Sequence, residues 1–388
     1  MGQLPGELHR ASLLHIQRLM KCMGILPYSQ SLSAKVFSSV ILLIAIAICT
    51  YQRLNFDYDL GYDFQNDHFS VTIDLTNFAA LIASHVIIVL ELVWGHGSKD
   101  VERKLQAIHI QINMYLGVPI NTNRVRRYCN GIYASLVIRW IIFFLVTIYN
   151  NRALTFYAMY SEFILLARFS EFSLYCVVVL FLYQELIVGA SKVLEELQRT
   201  RFELFSIRRL SLEKLVKLQR IHGSLWQSIR CLERYFQLSL ITMLMKLFLD
   251  TSALPYWLYL NIIQSPELPV KCYVATDECI KILEIIVPCY ICTRCDALQR
   301  KFRSMFYTIT TDRRSSQLNT ALRRLNLQLS QERCQFSAGG LVSINTEMLG
   351  KFIFGVFSYI IICIQFSINL RSSSFNKLVE SSTPSAPI

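Results

Sequence analysis

The chain has 388 residues, 53% of them hydrophobic and only 17% charged, with 39 Lys and Arg against 27 Asp and Glu and a formal net charge of +12. A soluble domain carries about a quarter charged residues, and a chain of this length normally divides into domains joined by polar linkers; here the apolar residues gather in long runs with the charges between them, which leaves little room for a soluble enzyme. The basic residues are dispersed in blocks, not collected on one face among aromatic residues, so the expected partner is a lipid bilayer and not nucleic acid.

Residues 1–35 are polar and basic, without the pattern of a cleaved signal, and Gly6 stands where a myristoylation motif wants Ser or Thr. Leu13, Ile16, Met20 and Met23 recur at helical spacing beside Arg10, Arg18 and Lys21. That pattern predicts a short amphipathic helix on the cytosolic membrane surface. Seven runs are then long and apolar enough to suggest crossings: Val36–Tyr51, Val71–Trp94, Ile132–Tyr149, Phe163–Val188, Leu238–Ile263, Ile280–Cys292 and Leu349–Leu370. Pro288 in the sixth predicts a kink, because neighbouring helices can satisfy the carbonyl it frees. The layout is therefore four crossings over 36–190, a cytosolic helical extension over 191–237, and two crossings over 238–295. A cytosolic anchor region over 296–346, a seventh crossing over 347–370 and an extracellular tail over 371–388 complete it.

Of the 39 basic residues, 29 fall before the first run or in the segments after the second, fourth and sixth, while only five fall on the other side. By the positive-inside rule the N-terminus is cytosolic and, after an odd number of crossings, the C-terminus is extracellular. A G-protein-coupled receptor has the reverse orientation. The chain also lacks an Asp-Arg-Tyr after its third run and an Asn-Pro-x-x-Tyr in its seventh. The expected fold class is all-α: a polytopic membrane protein of seven transmembrane helices. Transporters usually show internal repeats with broken helices in matching halves, and none is visible.

In the last run Glu347, Lys351, Ser358, Gln365 and Asn369 fall at about 0°, 40°, 20°, 0° and 40° on a helical wheel. Five polar side chains on one narrow stripe face either other helices or water. One helix cannot enclose a path; several copies related by rotation can.

The stretch Cys334-Gln-Phe-Ser-Ala-Gly-Gly, followed by Gly350 and by Ser358-Tyr359-Ile-Ile-Ile-Cys-Ile-Gln365-Phe366, resembles the C-terminal signature of insect gustatory receptors: Thr-Tyr, five apolar residues, then Gln-Phe. Ser358 replaces the usual Thr and keeps the hydroxyl. The apolar sixth run ending near Cys292-Thr-Arg-Cys295 fits the same resemblance. What it implies is a tetrameric ligand-gated cation channel of identical or related subunits, with a pore lined by the seventh helix, in the plasma membrane of sensory neurons. The pore would narrow at Gln365 and Phe366, with Ser358 and Asn369 along it and Tyr359 as a packing residue. Phe366 lies about 100° from the stripe, so its place in the pore comes from the resemblance alone. A metabotropic chemoreceptor or an accessory co-receptor subunit is the alternative.

Leu218, Ile221, Leu225, Ile229, Leu232 and Phe236 form one apolar seam on a helix, flanked by Arg208, Arg209, Lys214, Lys217 and Arg220. The seam either packs on its own subunit or, as the resemblance implies, joins subunits in a cytosolic anchor with Phe302, Met305, Phe306, Leu322, Leu325 and Leu329. The resemblance further implies a small-molecule tastant bound in the outer half of the bundle, where Asp74, Asn77, Glu162, Arg168, Asp250, Tyr256 and Trp257 are candidate contacts. Arg168 and Glu171, three apart, can equally neutralise each other, and Tyr256 and Trp257 also suit an interfacial aromatic belt. Charged outer halves favour a bitter or aversive compound over a sugar. Cys289, Cys292 and Cys295 read as packing cysteines, Cys272 and Cys279 as a pair able to oxidise, and no metal, cofactor or enzymatic motif is expected.

Overall fold

In lipid every backbone polar group must be satisfied within its own segment, so apolar runs of this kind fold as helices. The computed structural model describes residues 7–55, 68–95, 98–119, 121–149, 156–199, 205–263, 268–307 and 316–382. Its helices are α1 (Glu7–Ser12), α2 (Leu14–Cys22), α3 (Leu32–Asn55), α4 (His68–Trp94), α5 (Ser98–Leu116) and α6 (Thr122–Tyr149). They continue with α7 (Phe156–Arg199), α8 (Phe205–Tyr235), α9 (Gln237–Ile263), α10 (Leu268–Tyr307), α11 (Ser316–Gln331) and α12 (Thr346–Ser382). A small antiparallel hairpin, β1 (Ser337–Ala338) with β2 (Val342–Ser343), separates α11 from α12. The all-α expectation holds.

Each of the seven apolar runs lies within one helix, α3, α4, α6, α7, α9, α10 or α12, and α10 continues unbroken through Pro288. By length and apolarity, Leu32–Tyr51, Val71–Trp94, Met159–Gln198 and Thr346–Phe366 are able to cross a membrane. Burial then separates two kinds of apolar helix. The apolar window of α7 is 94% buried, whereas those of α3 and α12 are 17% and 11% buried. α7, about 66 Å long, is the central post, packed by α4, α5, α6, α8 and α10. Its apolar sequence therefore reflects contact with protein on all sides.

Packing bears on two apolar faces that the sequence singled out. The first is the apolar face of the N-terminal amphipathic helix, which meets protein: Ile16 and Met20 are fully buried, and α1 and α2 pack on α6 and α7. The Tyr133 hydroxyl on α6 donates to the Ser12 carbonyl (2.5 Å) and accepts from the Ile16 N–H (3.4 Å), while Tyr160 on α7 donates to the Met23 carbonyl (2.8 Å). α2 ends in a Schellman arrangement, with Ile25 N–H on the Met20 carbonyl (3.0 Å) and Gly24 N–H on that of Lys21 (2.9 Å). Gly24 takes the positive φ of 73° that this cap requires. The apolar face that looked lipid-directed is buried by the bundle.

The second concerns the seam of α8. Leu218, Ile221, Leu225, Ile229, Leu232 and Phe236 are each at most 1% exposed, buried in one core with Phe302 and Phe306 of α10 and Leu322, Leu325 and Leu329 of α11. Met305 is partly buried against the same core. Of the two alternatives the sequence left open, the seam follows the first: it is satisfied inside one chain.

The hairpin carries part of the C-terminal signature. Ala338-Gly339-Gly340-Leu341 closes through the Leu341 N–H on the Ala338 carbonyl (3.0 Å), with φ of 59° and 75° at the two glycines. Both central residues in the left-handed region define a turn that matches the strand twist. The Gly-Gly pair is thus explained by backbone geometry.

Candidate functional site

α12 divides into three faces. Phe352, Val356, Tyr359 and Cys363, at about 120–180° from Glu347 on the wheel, form the inward seam against the protomer. Phe248 of α9 meets Phe352 (ring centroids 5.6 Å) and Tyr359 (6.2 Å), and Cys363 is buried with Ile73 and Ala253. Glu347, Lys351, Gln365 and Asn369 lie on the far side, exposed. The Lys351 ammonium donates to Glu347 (2.7 Å), and half-buried Ser358 returns its hydroxyl to the Phe354 carbonyl (2.9 Å). Phe354, Phe357, Ile361 and Ile368 flank the stripe on one side and Ile362 and Phe366 on the other, all exposed. The polar edge is not sealed within its own protomer; it is directed away from it, between two apolar shoulders.

A second arrangement lies inside the bundle. Lys246 and Asp250 are four apart on α9, and Lys281 and Glu284 three apart on α10, which puts each pair on one helix face. Arg139 of α6 and Glu162 of α7 complete the group. The Lys246 ammonium donates to Glu162 (3.1 Å) and to Asp250; Lys281 lies 3.8 Å from Asp250; Arg139 donates to Glu284. The Lys246 side chain is only 5% exposed and those of Asp250 and Lys281 11%, so these charges are withdrawn from solvent. They surround a cavity of about 30 Å³ whose apolar wall is Leu165, Leu166, Phe169, Met243 and Leu247. Such a void holds about one or two waters. Lys246 and Asp250 stand about 14 and 20 Å along α9 from its first residue. Ionisable groups this far inside an apolar helix are expensive to bury and mark a candidate functional site.

The expected pocket residues are distributed unevenly. Glu162 and Asp250 line this cavity. Arg168 does not: it is fully buried beside Glu171 (2.6 Å), Glu91 (3.1 Å), the Tyr235 carbonyl (2.7 Å) and Ser239 (3.2 Å). Glu91 is near the C-terminal end of α4 and Ser239 near the N-terminal end of α9. Arg168 therefore forms a separate group where the C-terminal end of α4 meets the N-terminal end of α9, apart from Glu162 and Asp250. Asp74 and Asn77 are half-buried on α4, outside the cavity lining. The side chains of Tyr256, Trp257 and Cys272 lie outside the described residues. Cys279 is exposed and free, and Cys289, Cys292 and Cys295 are buried, with Cys292 Sγ 3.8 Å from Cys176 Sγ. Arg139, Lys246 and Glu284 escaped the sequence reading as site residues. The usable signal was a pair of opposite charges three or four apart inside an apolar run, twice over.

Long apolar helices around a buried central helix, with paired charges in the interior, define a polytopic helical membrane protein. Residues 15–370 match the family model described as 7tm chemosensory receptor. The chain is 67% identical over 376 residues to the candidate gustatory receptor 98a of Drosophila melanogaster, covering 97% of this chain and 96% of that protein. It is 24% identical over 261 residues to the candidate gustatory receptor 98b of the same species, covering 65% of this chain and 63% of that one. Among solved structures, the olfactory receptor OR5 of Machilis hrabei in complex with eugenol shares its fold, with a TM-score of 0.64 at 12% identity over 91% of this chain and 99% of that one. The chain belongs to the 7tm chemosensory receptor family, as an insect gustatory receptor.

Proposed function

We propose that the chain is one subunit of a tetrameric, ligand-gated cation channel for taste, in the plasma membrane of sensory neurons, with a cytosolic N-terminus and an extracellular C-terminus. In this reading α3, α4, α6, α7, α9, α10 and α12 cross the bilayer, α5, α8 and α11 with the inner end of α10 form the cytosolic layer, and four copies of α12 enclose the pore. The single observation that carries it is the polar stripe of α12, exposed at Glu347, Lys351, Gln365 and Asn369 and directed away from its own bundle. Exposed to acyl chains, five polar groups would be costly; turned towards a rotation axis, they line water. Gln365 and Phe366 form the narrow level, where an apolar ring beside amides closes by dewetting. Ser358 and Asn369 line the path below and above it, and Tyr359 holds the helix to α9. A small tastant, bitter or aversive and not a sugar, enters the charged cavity and moves α9 and α10 against α12.

The test is current recording from a null cell expressing the chain, alone and with related subunits, comparing wild type with Gln365→Ala. The expected result is altered conductance or gating with surface assembly intact. Currents of unchanged conductance, selectivity and agonist dependence would remove Gln365 from the pore. An epitope tag at the N-terminus that stains only permeabilised cells is required as well; staining of intact cells would return the chain to the metabotropic reading.

A further inference from the structure

Resting on the reading that the charged cavity is the ligand site, we propose that it takes a zwitterion of amino-acid type with an aliphatic side chain. The cluster balances three bases, Arg139, Lys246 and Lys281, against three acids, Glu162, Asp250 and Glu284. Each of the ion contacts described above joins opposite signs, and none of the six is well solvated. Any guest must therefore part existing ion pairs. Leaving one member of a buried pair uncompensated is strongly unfavourable, whereas exchanging one pair for another is not. A guest with a single charge satisfies one displaced partner and strands the other. A sugar brings only neutral hydroxyls, and an apolar guest brings nothing. A guest with both signs a few bonds apart replaces what it displaces.

The contacts also indicate how it lies. Lys281 to Asp250, at 3.8 Å, is the longest of the ion contacts described above, which places the guest at the seam between α9 and α10. The guest's carboxylate lies between Lys281 and Lys246, and its ammonium meets Asp250 and Glu162. Its side chain is left against Leu165, Leu166, Phe169, Met243 and Leu247, which are apolar throughout. The 30 Å³ void is too small for such a guest until side chains move. Met243, unbranched and adaptable, is the member suited to yield.

The experiment uses the full chain in lipid nanodiscs and measures binding of four probes: L-leucine, L-leucinamide, N-acetyl-L-leucine and sucrose. Leucinamide lacks the carboxylate and N-acetylleucine the ammonium, so each removes one sign. Saturable leucine binding is expected, at least tenfold weaker binding of either single-charge analogue, and no sucrose binding. Two variants accompany it: Lys246→Met with Glu162→Gln, which removes one pair and keeps the net charge, and Leu166→Trp, which fills the cavity with all charges intact. Each is expected to weaken leucine at least tenfold, and either one alone suffices if the other fails to yield monodisperse protein. Equal binding of leucine and its amide, still blocked by Leu166→Trp, would overturn the zwitterion and leave the cavity as the site. Leucine binding indifferent to both variants would overturn the site as well, and absence of leucine binding up to millimolar concentration would overturn the proposal.

Discussion

Arg168→Met tests the buried ion group between α4, α7 and α9 most severely. The guanidinium is fully buried, donates through Nη1 to Glu171, through Nη2 to Glu91 and the Tyr235 carbonyl, and through Nε to Ser239. It also lies over Tyr235 (4.2 Å) and Phe236 (3.9 Å). The substitution leaves Glu171, 1% exposed, with the hydrogen bond from the Tyr235 hydroxyl (3.0 Å) and strips the Tyr235 carbonyl of the Arg168 donor. Breaking a buried pair costs about 3–5 kcal/mol, a stranded carbonyl about 1–3 and a lost cation–π contact about 1–2. These share partners and do not add, so about 4 kcal/mol is the expected total. At about 2 °C per kcal/mol for a large chain, the melting temperature falls by about 8 °C. The assay is thermal melting of detergent-solubilised protein followed by size exclusion. Adding Glu171→Gln removes the stranded charge and should recover at least half of the loss. A single variant melting within 2 °C of wild type, on that same scale, or a double variant with no recovery, would refute the account.

Three further outcomes follow from the packing. Gly340→Ala meets nothing within 4 Å and so reports φ alone, costing about 1–2 kcal/mol in the melting assay; Gly339→Ala also strikes Ile241 and should cost more, and equal losses would contradict the contact. Leu225→Ala, at a fully buried position, should cost about 2–5 kcal/mol while tetramers persist on native gels; loss of assembly with unchanged protomer melting would put the α8 seam between subunits. Phe248→Ala removes the ring that joins α9 to Phe352 and Tyr359, so ligand affinity should hold while the concentration for half-maximal opening rises about 2- to 30-fold. A parallel loss of binding would assign Phe248 to the pocket instead.

The helices were legible because the apolar runs are long and their polar breaks are short; every run proved to lie in one helix. The stripe on α12 was legible for the same reason, since a period of 3.6 residues fixes azimuth without reference to partners. What lay beyond reach was the environment of each apolar face. Ile16 and Met20 carry the same pattern whether lipid or Tyr133 and Tyr160 lie opposite, and Leu225 carries the same seam whether its partner is α11 or another subunit. Height along an axis was equally hidden. Arg168 sits early in an apolar run, but α7 begins deep enough that its twelfth residue beyond Phe156 already meets Glu91 at the far end of α4.

Two buried ion groups of similar composition thus stand in one bundle, and the way their donors are used separates their roles. At Arg168 four N–H bonds are made to four different groups, the side chains are at most 12% exposed, and two rings close over the guanidinium. Nothing can enter without breaking the whole set, which is the property of a brace. Around Lys246 the acids keep more contact with solvent, Glu162 at 28% and Glu284 at 20%. One ion contact is stretched to 3.8 Å and a void remains between helices. A group that is paired but not closed can exchange partners at modest cost, and exchange of partners is what a ligand needs if its binding is to move α9 and α10. In the proposed channel the brace holds α4, α7 and the start of α9 together, and Phe248, two residues from Asp250 on α9, is the contact through which a displacement there would reach Phe352 and Tyr359 of α12.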